Sequence, residues 1–362
     1  MDKNEKWEIS FTLFVILLFA IVIVATSGQD FQVGGVPQSA KLVKDYSTQR
    51  VVDVQITQEQ YVFNVTEMGA VNATFEGRNY LFNLIFAHPG EVLNLTMSAK
   101  QYPYGSATGN FYFPDYADRF VDDQIVPGLT AYDALPVPNV TGVYAFLDGE
   151  YDGPWFSYQL GELLVLPSSG YFTTYNLTTY FLQTEKAYTT GLVGDPYNPP
   201  IVFFNNTDTP VISFVGDQEG LLHLTTSGYL ESVVSASRAS VPAPTVIVKR
   251  GSNVTLTIYI PYPVSDNDFF KTYVNGTAAP LYNVTLGIYG VYNNGTIVPV
   301  ATTQIKYNTT LTFNFNATFP AYIYGIVNPV FTQYNPDNEA NLVTGEDFGL
   351  VMGAWGVILV EE

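Results

Sequence analysis

Residues 51–65 alternate apolar and polar side chains (VVDVQITQEQYVFNV). A period of two places every second side chain on one face, the requirement of a half-buried β-strand and not of a helix. The same grammar, short apolar runs cut by Gly, Pro and Asn turns, continues through most of the chain. Residues 245–260 (TVIVKRGSNVTLTIYI) read as a strand, a Lys-Arg-Gly turn and a second strand, and residues 354–360 (AWGVILV) as a closing strand. The 27 Tyr and the abundance of Thr, Val and Asn suit sheets and turns. Beyond its N-terminus the chain is expected to be all-β. Aromatic runs such as residues 171–180, with Tyr282 and Tyr289, read as core and cross-strand packing.

The N-terminus breaks this pattern. Residues 9–25 (ISFTLFVILLFAIVIVA) are apolar apart from Ser10 and Thr12. As a helix, residues 7–27 would be about 31 Å long, matching a hydrocarbon core of roughly 30 Å. Trp7 stands where an interfacial aromatic belongs. Ala25, Thr26 and Ser27 offer a signal-peptide cleavage site, yet the flank MDKNEKWE mixes acids with lysines instead of forming a basic leader. We expect a retained anchor over residues 1–28, a polar linker over 29–50, and two further domains, 51–168 and 169–362. At 362 residues two folded domains agree with a prior of about 150 residues each.

With 33 acids against 14 bases, nucleic acid is excluded as a partner, because neutralising phosphates needs clustered Lys and Arg. Charged residues are only 13% of the chain, and below pH ~4 most carboxylates would be neutral, a balance that suits an acidic exterior. The absence of Cys removes disulfides, thiol catalysis, iron–sulfur clusters and thiolate metal sites together. Asn-x-Thr occurs at Asn64, Asn72, Asn94, Asn139, Asn176, Asn205, Asn253, Asn275, Asn283, Asn294, Asn308 and Asn316, and never before the apolar segment. A Thr- and Asn-rich β-protein makes some such triplets by chance. Their number favours N-linked glycans on an exterior surface, and therefore a single-pass cell-membrane protein with its N-terminus inside and its C-terminal bulk outside.

Metal and catalytic chemistry find little support. Asp148, Glu150, Asp152 and Gly153 match the opening of an EF-hand loop, but Gln159 stands where the closing acid belongs. The three carboxylates are expected to line an exposed loop or a partner-facing surface. Of the two histidines, His88 before Pro89-Gly90 reads as an exposed turn residue and His223 as a strand residue, so neither suggests a metal site or a triad. No catalytic residue and no bound cofactor are expected.

One resemblance is more specific. Residues 142–159 (GVYAFLDGEYDGPWFSYQ) resemble the copper loop of the cupredoxin domain in subunit II of haem–copper oxidases, G-x-Y-x-x-x-C-x-E-x-C-G-x-x-H-x-x-M. Aligned without a gap, the two cysteines fall on Asp148 and Asp152, the glutamate on Glu150, the histidine on Phe156 and the methionine on Gln159. Upstream, residues 86–97 (FAHPGEVLNLTM) are similar to the family's Pro-Gly and strand segment, and the remaining copper histidine falls on Pro103. Only the glutamate survives, and a binuclear copper centre needs bridging thiolates with imidazole or soft ligands. The resemblance spans residues 51–167.

It implies a cupredoxin-like β-sandwich over residues 51–168. Residues 245–260 resemble the opening of cupredoxin sheets and residues 354–360 parallel residues 161–166, so a second such sandwich, enlarged by residues 171–240, is expected in tandem, both behind the one N-terminal transmembrane helix. The resemblance further implies a non-catalytic, copper-free component of a membrane terminal quinol oxidase. The narrower likeness is to the larger accessory chain of archaeal Dox-type oxidases. Haem and copper would then sit in a partner, subunit I, with small membrane subunits and lipid as further neighbours. Two other classes remain open at this point: a surface-layer or pilus-associated glycoprotein, and an exterior solute-binding protein or hydrolase.

Overall fold

The computed structural model describes residues 49–59, 62–66, 70–75, 78–99, 109–113, 121–148, 160–189, 201–216, 222–225, 229–230, 243–259, 272–274, 277–279, 285–304, 308–327 and 355–362. The described residues all fall within one compact unit, Pro37–Glu362, and residues 1–48 lie outside them. The apolar segment at residues 7–27 therefore lies outside them too. Among the described residues no helix is long and apolar enough to cross a membrane.

Ten strands arise from the first half: β1 (Val51–Glu59), β2 (Val62–Thr66), β3 (Ala70–Phe75), β4 (Arg78–Ala87), β5 (Val92–Ala99), β6 (Gly109–Phe113), β7 (Val121–Ile125), β8 (Thr130–Pro136), β9 (Gly142–Leu147) and β10 (Leu160–Val165). They build a four-stranded sheet, β2-β1-β5-β8, and a six-stranded one, β3-β4-β10-β9-β6-β7. Helix α1 (Thr174–Thr189) follows.

The second half supplies β11 (Ile201–Phe204), β12 (Val211–Gly216), β13 (Leu222–Leu224), β14 (Tyr229–Leu230), β15 (Thr245–Lys249) and β16 (Asn253–Tyr259). It continues with β17 (Thr272–Val274), β18 (Thr277–Ala279), β19 (Thr285–Val291), β20 (Ile297–Gln304), β21 (Thr310–Asn316), β22 (Ala321–Val327) and β23 (Trp355–Glu361). A seven-stranded sheet has the order β14-β11-β15-β23-β22-β19-β20, a four-stranded sheet the order β13-β12-β16-β21, and β17 pairs with β18.

The pairing sense recurs between the halves. β1 runs antiparallel to β2 and parallel to β5, and β5 antiparallel to β8. β12 runs antiparallel to β13 and parallel to β16, and β16 antiparallel to β21. In the larger sheets β10 lies between parallel β4 and antiparallel β9, as β23 lies between parallel β15 and antiparallel β22. Parallel neighbours cannot be joined by a hairpin, so between β1 and β5 the chain crosses to the other sheet to form β3 and β4.

Burial separates outer from inner sheets. β5, β16 and β21 alternate buried and more exposed positions, as sheets with one wet face must. β6, β9 and β23 are buried at every position. The core explains the contrast. One cluster joins Val54 and Leu95 of the first four-stranded sheet to Phe146 and Leu163 of the six-stranded sheet, and extends to Ile247, Ile323 and Leu359 of the seven-stranded sheet. Their neighbours Val246, Tyr322 and Ile358 point the other way, into a second cluster with Leu256 and Phe313 of the last sheet. Both large sheets are thus covered on both faces.

Of the expected core and cross-strand packing at residues 171–180, the core part holds, with Phe172 and Tyr180 buried, but helix α1 replaces the strand. Its sequence, TYNLTTYFLQTEKAYT, holds many weak helix formers. Two features carry it. The Thr173 hydroxyl caps its N-terminus, accepting the Asn176 N–H at 3.2 Å. Leu177 and Tyr180 are buried, and the Tyr180 hydroxyl donates to the Val143 carbonyl of β9 at 2.6 Å. The ring lies so close to Gly142 that a Cβ there would sit 2.6 Å from it, which gives the first glycine of the loop pattern a packing reason.

Candidate functional site

The loop pattern leaves β9 at Asp148. Residues 109–110 open β6 in the same six-stranded sheet, whereas Gln58 is the penultimate residue of β1 in the facing four-stranded sheet. The three meet. Gln58 Nε2 donates to Asp148 Oδ2 at 3.0 Å, and the Asn110 backbone N–H donates to Oδ1 at 3.1 Å. Asp148 is 0% exposed, Gln58 3% and Asn110 4%. Gly109 makes the approach possible, because a Cβ there would collide with Gln58 Nε2 and Asp148 Oδ2.

Asp148 is therefore a buried tie between the two sheets of the first half, not the exposed loop acid expected from sequence. Each of its oxygens already accepts an N–H. Pro103, Glu150, Asp152, Phe156 and Gln159 lie outside the described residues. Among the described residues no group of His, Asp and Glu is arranged to hold a metal ion.

His88 also departs from expectation. Its side chain is 18% exposed and spans a joint. Nε2 lies 2.7 Å from the Asn293 carbonyl in the turn between β19 and β20, and Nδ1 lies 3.3 Å from Glu91 Oε1. A carbonyl only accepts, so Nε2 carries a hydrogen there. Glu91 also takes the His88 backbone N–H at 2.8 Å and lies 3.3 Å from the Arg50 guanidinium. From the same turn, Asn293 Nδ2 donates to the Pro167 carbonyl at 2.8 Å and to the Gly170 carbonyl at 3.1 Å. The histidine thus helps fasten a hairpin of the seven-stranded sheet to the end of the six-stranded one. His223 lies on β13 opposite Val215.

The residue that sequence reading passed over is Glu162. It sits inside the apolar run GELLVLP, on β10, with Leu84 and Ala145 as its neighbours across the sheet. It is 0% exposed, and among the described residues neither carboxyl oxygen has a hydrogen-bond partner. Burial pushes this carboxyl well above the ordinary carboxylate range. Tyr324 of β22, in the facing seven-stranded sheet, is raised well above its ordinary value by burial and then by the charge Glu162 would carry. The Tyr324 hydroxyl donates to the Pro244 carbonyl. Only one signal was available beforehand, an acid in the middle of an otherwise apolar strand.

The sequons divide by exposure. Asn139, Asn253, Asn294, Asn308 and Asn316 are exposed, and Asn94, Asn176 and Asn205 are partly buried. Asn64 and Asn72 lie on β2 and β3, and Asn275 and Asn283 lie outside the described residues.

No family model and no curated protein matches the chain. Many solved structures are similar over part of it, among them the following three. A chain of a haem–copper terminal oxidase dimer, determined by cryo-EM, covers 45% of this chain and 99% of its own, at 16% identity and a TM-score of 0.27. The periplasmic domain of subunit II of cytochrome oxidase from Bradyrhizobium japonicum covers 37% and 93%, at 12% identity and a TM-score of 0.25. A chain of the mixed-disulfide complex between a thioredoxin-like protein and subunit II of cytochrome c oxidase covers 38% and 92%, at 12% identity and a TM-score of 0.24. Likeness of this size carries nothing about function. The sheets themselves define the class: among the described residues, a nearly all-β protein of stacked sheets with one helix.

Proposed function

We propose that this chain is a copper-free, subunit-II-like component of a membrane terminal quinol oxidase, resembling the larger accessory chain of archaeal Dox-type oxidases. Asp148 is the observation that carries the reading. At the position aligned with the first copper cysteine stands a buried carboxyl whose two oxygens are engaged by Gln58 and Asn110. A hydrogen-bonded tie between the sheets does there what a metal would otherwise do, holding the loop to the sandwich without redox chemistry. Electrons would enter from quinol in the haem–copper subunit, and this chain would assemble with that subunit and shield its outer face.

The reading includes two sandwiches in tandem, residues 51–168 and 169–362. Its support is the repeated order and sense of pairing in β2-β1-β5-β8 and β13-β12-β16-β21. It includes a membrane helix over residues 7–27, supported by the apolar length of that segment, with the sandwiches outside and glycans on several sequons. Haem and copper belong to the partner subunit. Purification from native membranes through a C-terminal tag tests the reading. The preparation should carry haem, oxidise a quinol, and contain only the copper expected of one haem–copper subunit. A haem-free preparation defeats the reading, and an additional pair of coppers held by this chain defeats its copper-free part.

A further inference from the structure

Between helix α1 and the β11 end of the seven-stranded sheet lies a pocket of about 330 Å³. Ligand pockets commonly span about 300–1,000 Å³, so this one has room for a single ring. Its floor is apolar, made by Leu177, Phe181 and Phe203, whose two phenyl rings meet edge to face at 5.8 Å and 82°. Its wall is polar, made by Thr178, Asn205 and Glu361. Glu361 is a nearly buried carboxylate, 7% exposed, and accepts a hydrogen bond from Asn205 Nδ2. An aromatic floor with an amide, a hydroxyl and a carboxylate at the rim complements a pyranose, which offers a C–H face and a ring of hydroxyls.

Asn205 is also the acceptor of the triplet Asn205-Asn206-Thr207, and Phe203 stands two residues before it at the end of β11. The nitrogen that would bear a glycan is the one bonded to Glu361, so a substituent on it begins at the pocket wall. A glycosylated amide keeps one N–H, which can still be given to the carboxylate. We propose that the first sugar of an N-linked glycan on Asn205 folds back into this pocket and packs on Phe203, making the modification part of the fold. Asn139 and Asn294 are exposed, and Asn176 lies on a different helical face from Leu177, Thr178 and Phe181.

The inference rests on the exterior placement proposed above, and its test separates the two. Glycopeptide mass spectrometry of native full-length protein should find sugar on Asn205. Thr207→Ala abolishes the acceptor triplet while leaving Asn205 itself in place. In the native background it should lower Tm by about 2 °C more than it does in a Phe203→Leu background. The cycle cancels the Thr207 hydroxyl's own hydrogen bond to the Thr209 N–H, which is lost in both. Leucine keeps an apolar side chain on β11, and a far-ultraviolet circular dichroism spectrum checks that the sheets form. Sugar on Asn139 or Asn294 with Asn205 bare overturns this inference alone. All twelve sites bare removes the exterior glycoprotein reading and this inference with it. A sugar on Asn205 with strictly additive Tm changes also overturns it, because the ring would then not rest on Phe203.

Discussion

Glu162 should make this protein more stable in acid than at neutral pH, and Glu162→Gln should remove that dependence. The carboxyl is buried between the two large sheets with no partner among the described residues. Burial raises its folded value well above the ordinary 4.5. In the unfolded chain it titrates near that ordinary value. Between the two values the folded state holds a proton that the unfolded state has released. Its contribution is therefore fully present below pH 4.5 and is lost as pH rises through the raised folded value.

Tyr324 belongs to the second cluster, stacked on Phe214, and stays protonated throughout, since burial and the Glu162 charge both raise it. The energy scale follows from the missing partners. A buried polar group without a hydrogen bond costs roughly 1–3 kcal/mol on mutational scales. Glu162→Leu, which removes it at similar volume, should stabilise by about that amount, or about 2–6 °C in Tm. The assay is thermal unfolding from pH 3 to 9 for wild type, Glu162→Gln and Glu162→Leu. Other carboxylates titrate in all three proteins, so the informative quantity is the difference curve. The advantage of each variant over wild type should grow as pH rises above 4.5 and then level off. A difference that stays flat, or a wild type that gains on the variants as pH rises, would refute the reasoning.

Asp148→Ala strips the acceptor from two buried N–H donors, and urea unfolding should show a loss of about 2–4 kcal/mol, with Asp148→Asn losing less. Gly109→Ala should cost a similar amount through the same contacts, and the double variant should fall well short of the sum of the singles. Gly142→Ala forces a methyl against the Tyr180 ring and should destabilise by about 1–3 kcal/mol. Combining it with Tyr180→Leu should recover part of that loss, read by the same unfolding curves.

Several strands were legible because their pattern is local. Residues 51–65 alternate as one strand would, although the structure divides them into the antiparallel pair β1 and β2; residues 245–260 read strand, turn, strand, and β15 and β16 follow that division. The closing strand β23 stands where AWGVILV was read as a strand. Helix α1 was not legible. Thr, Tyr and Asn dominate it, and what makes it a helix is a cap at Thr173 and a seat for Leu177 and Tyr180 against β9. That seat is supplied by a strand whose Val143 lies 37 positions from Tyr180.

The site divides in the same way. Sequence alone determined that the chain has no thiolate, and a resemblance aligned Asp148 with a copper cysteine. Only the tertiary structure decided that this acid is buried and tied to Gln58, ninety residues away, when its residue type and loop context argued for exposure. It likewise turned His88 from a turn residue into a fastening to Asn293. Glu162 is the sharpest case. Its own strand reads as one more apolar run with an acid in it, and nothing nearby says whether that acid meets water. A period-two pattern declares which side chains share a face, but what covers that face is settled by strands distant in sequence. For β10 the cover is a second large sheet, and the energy of its one carboxyl is set there.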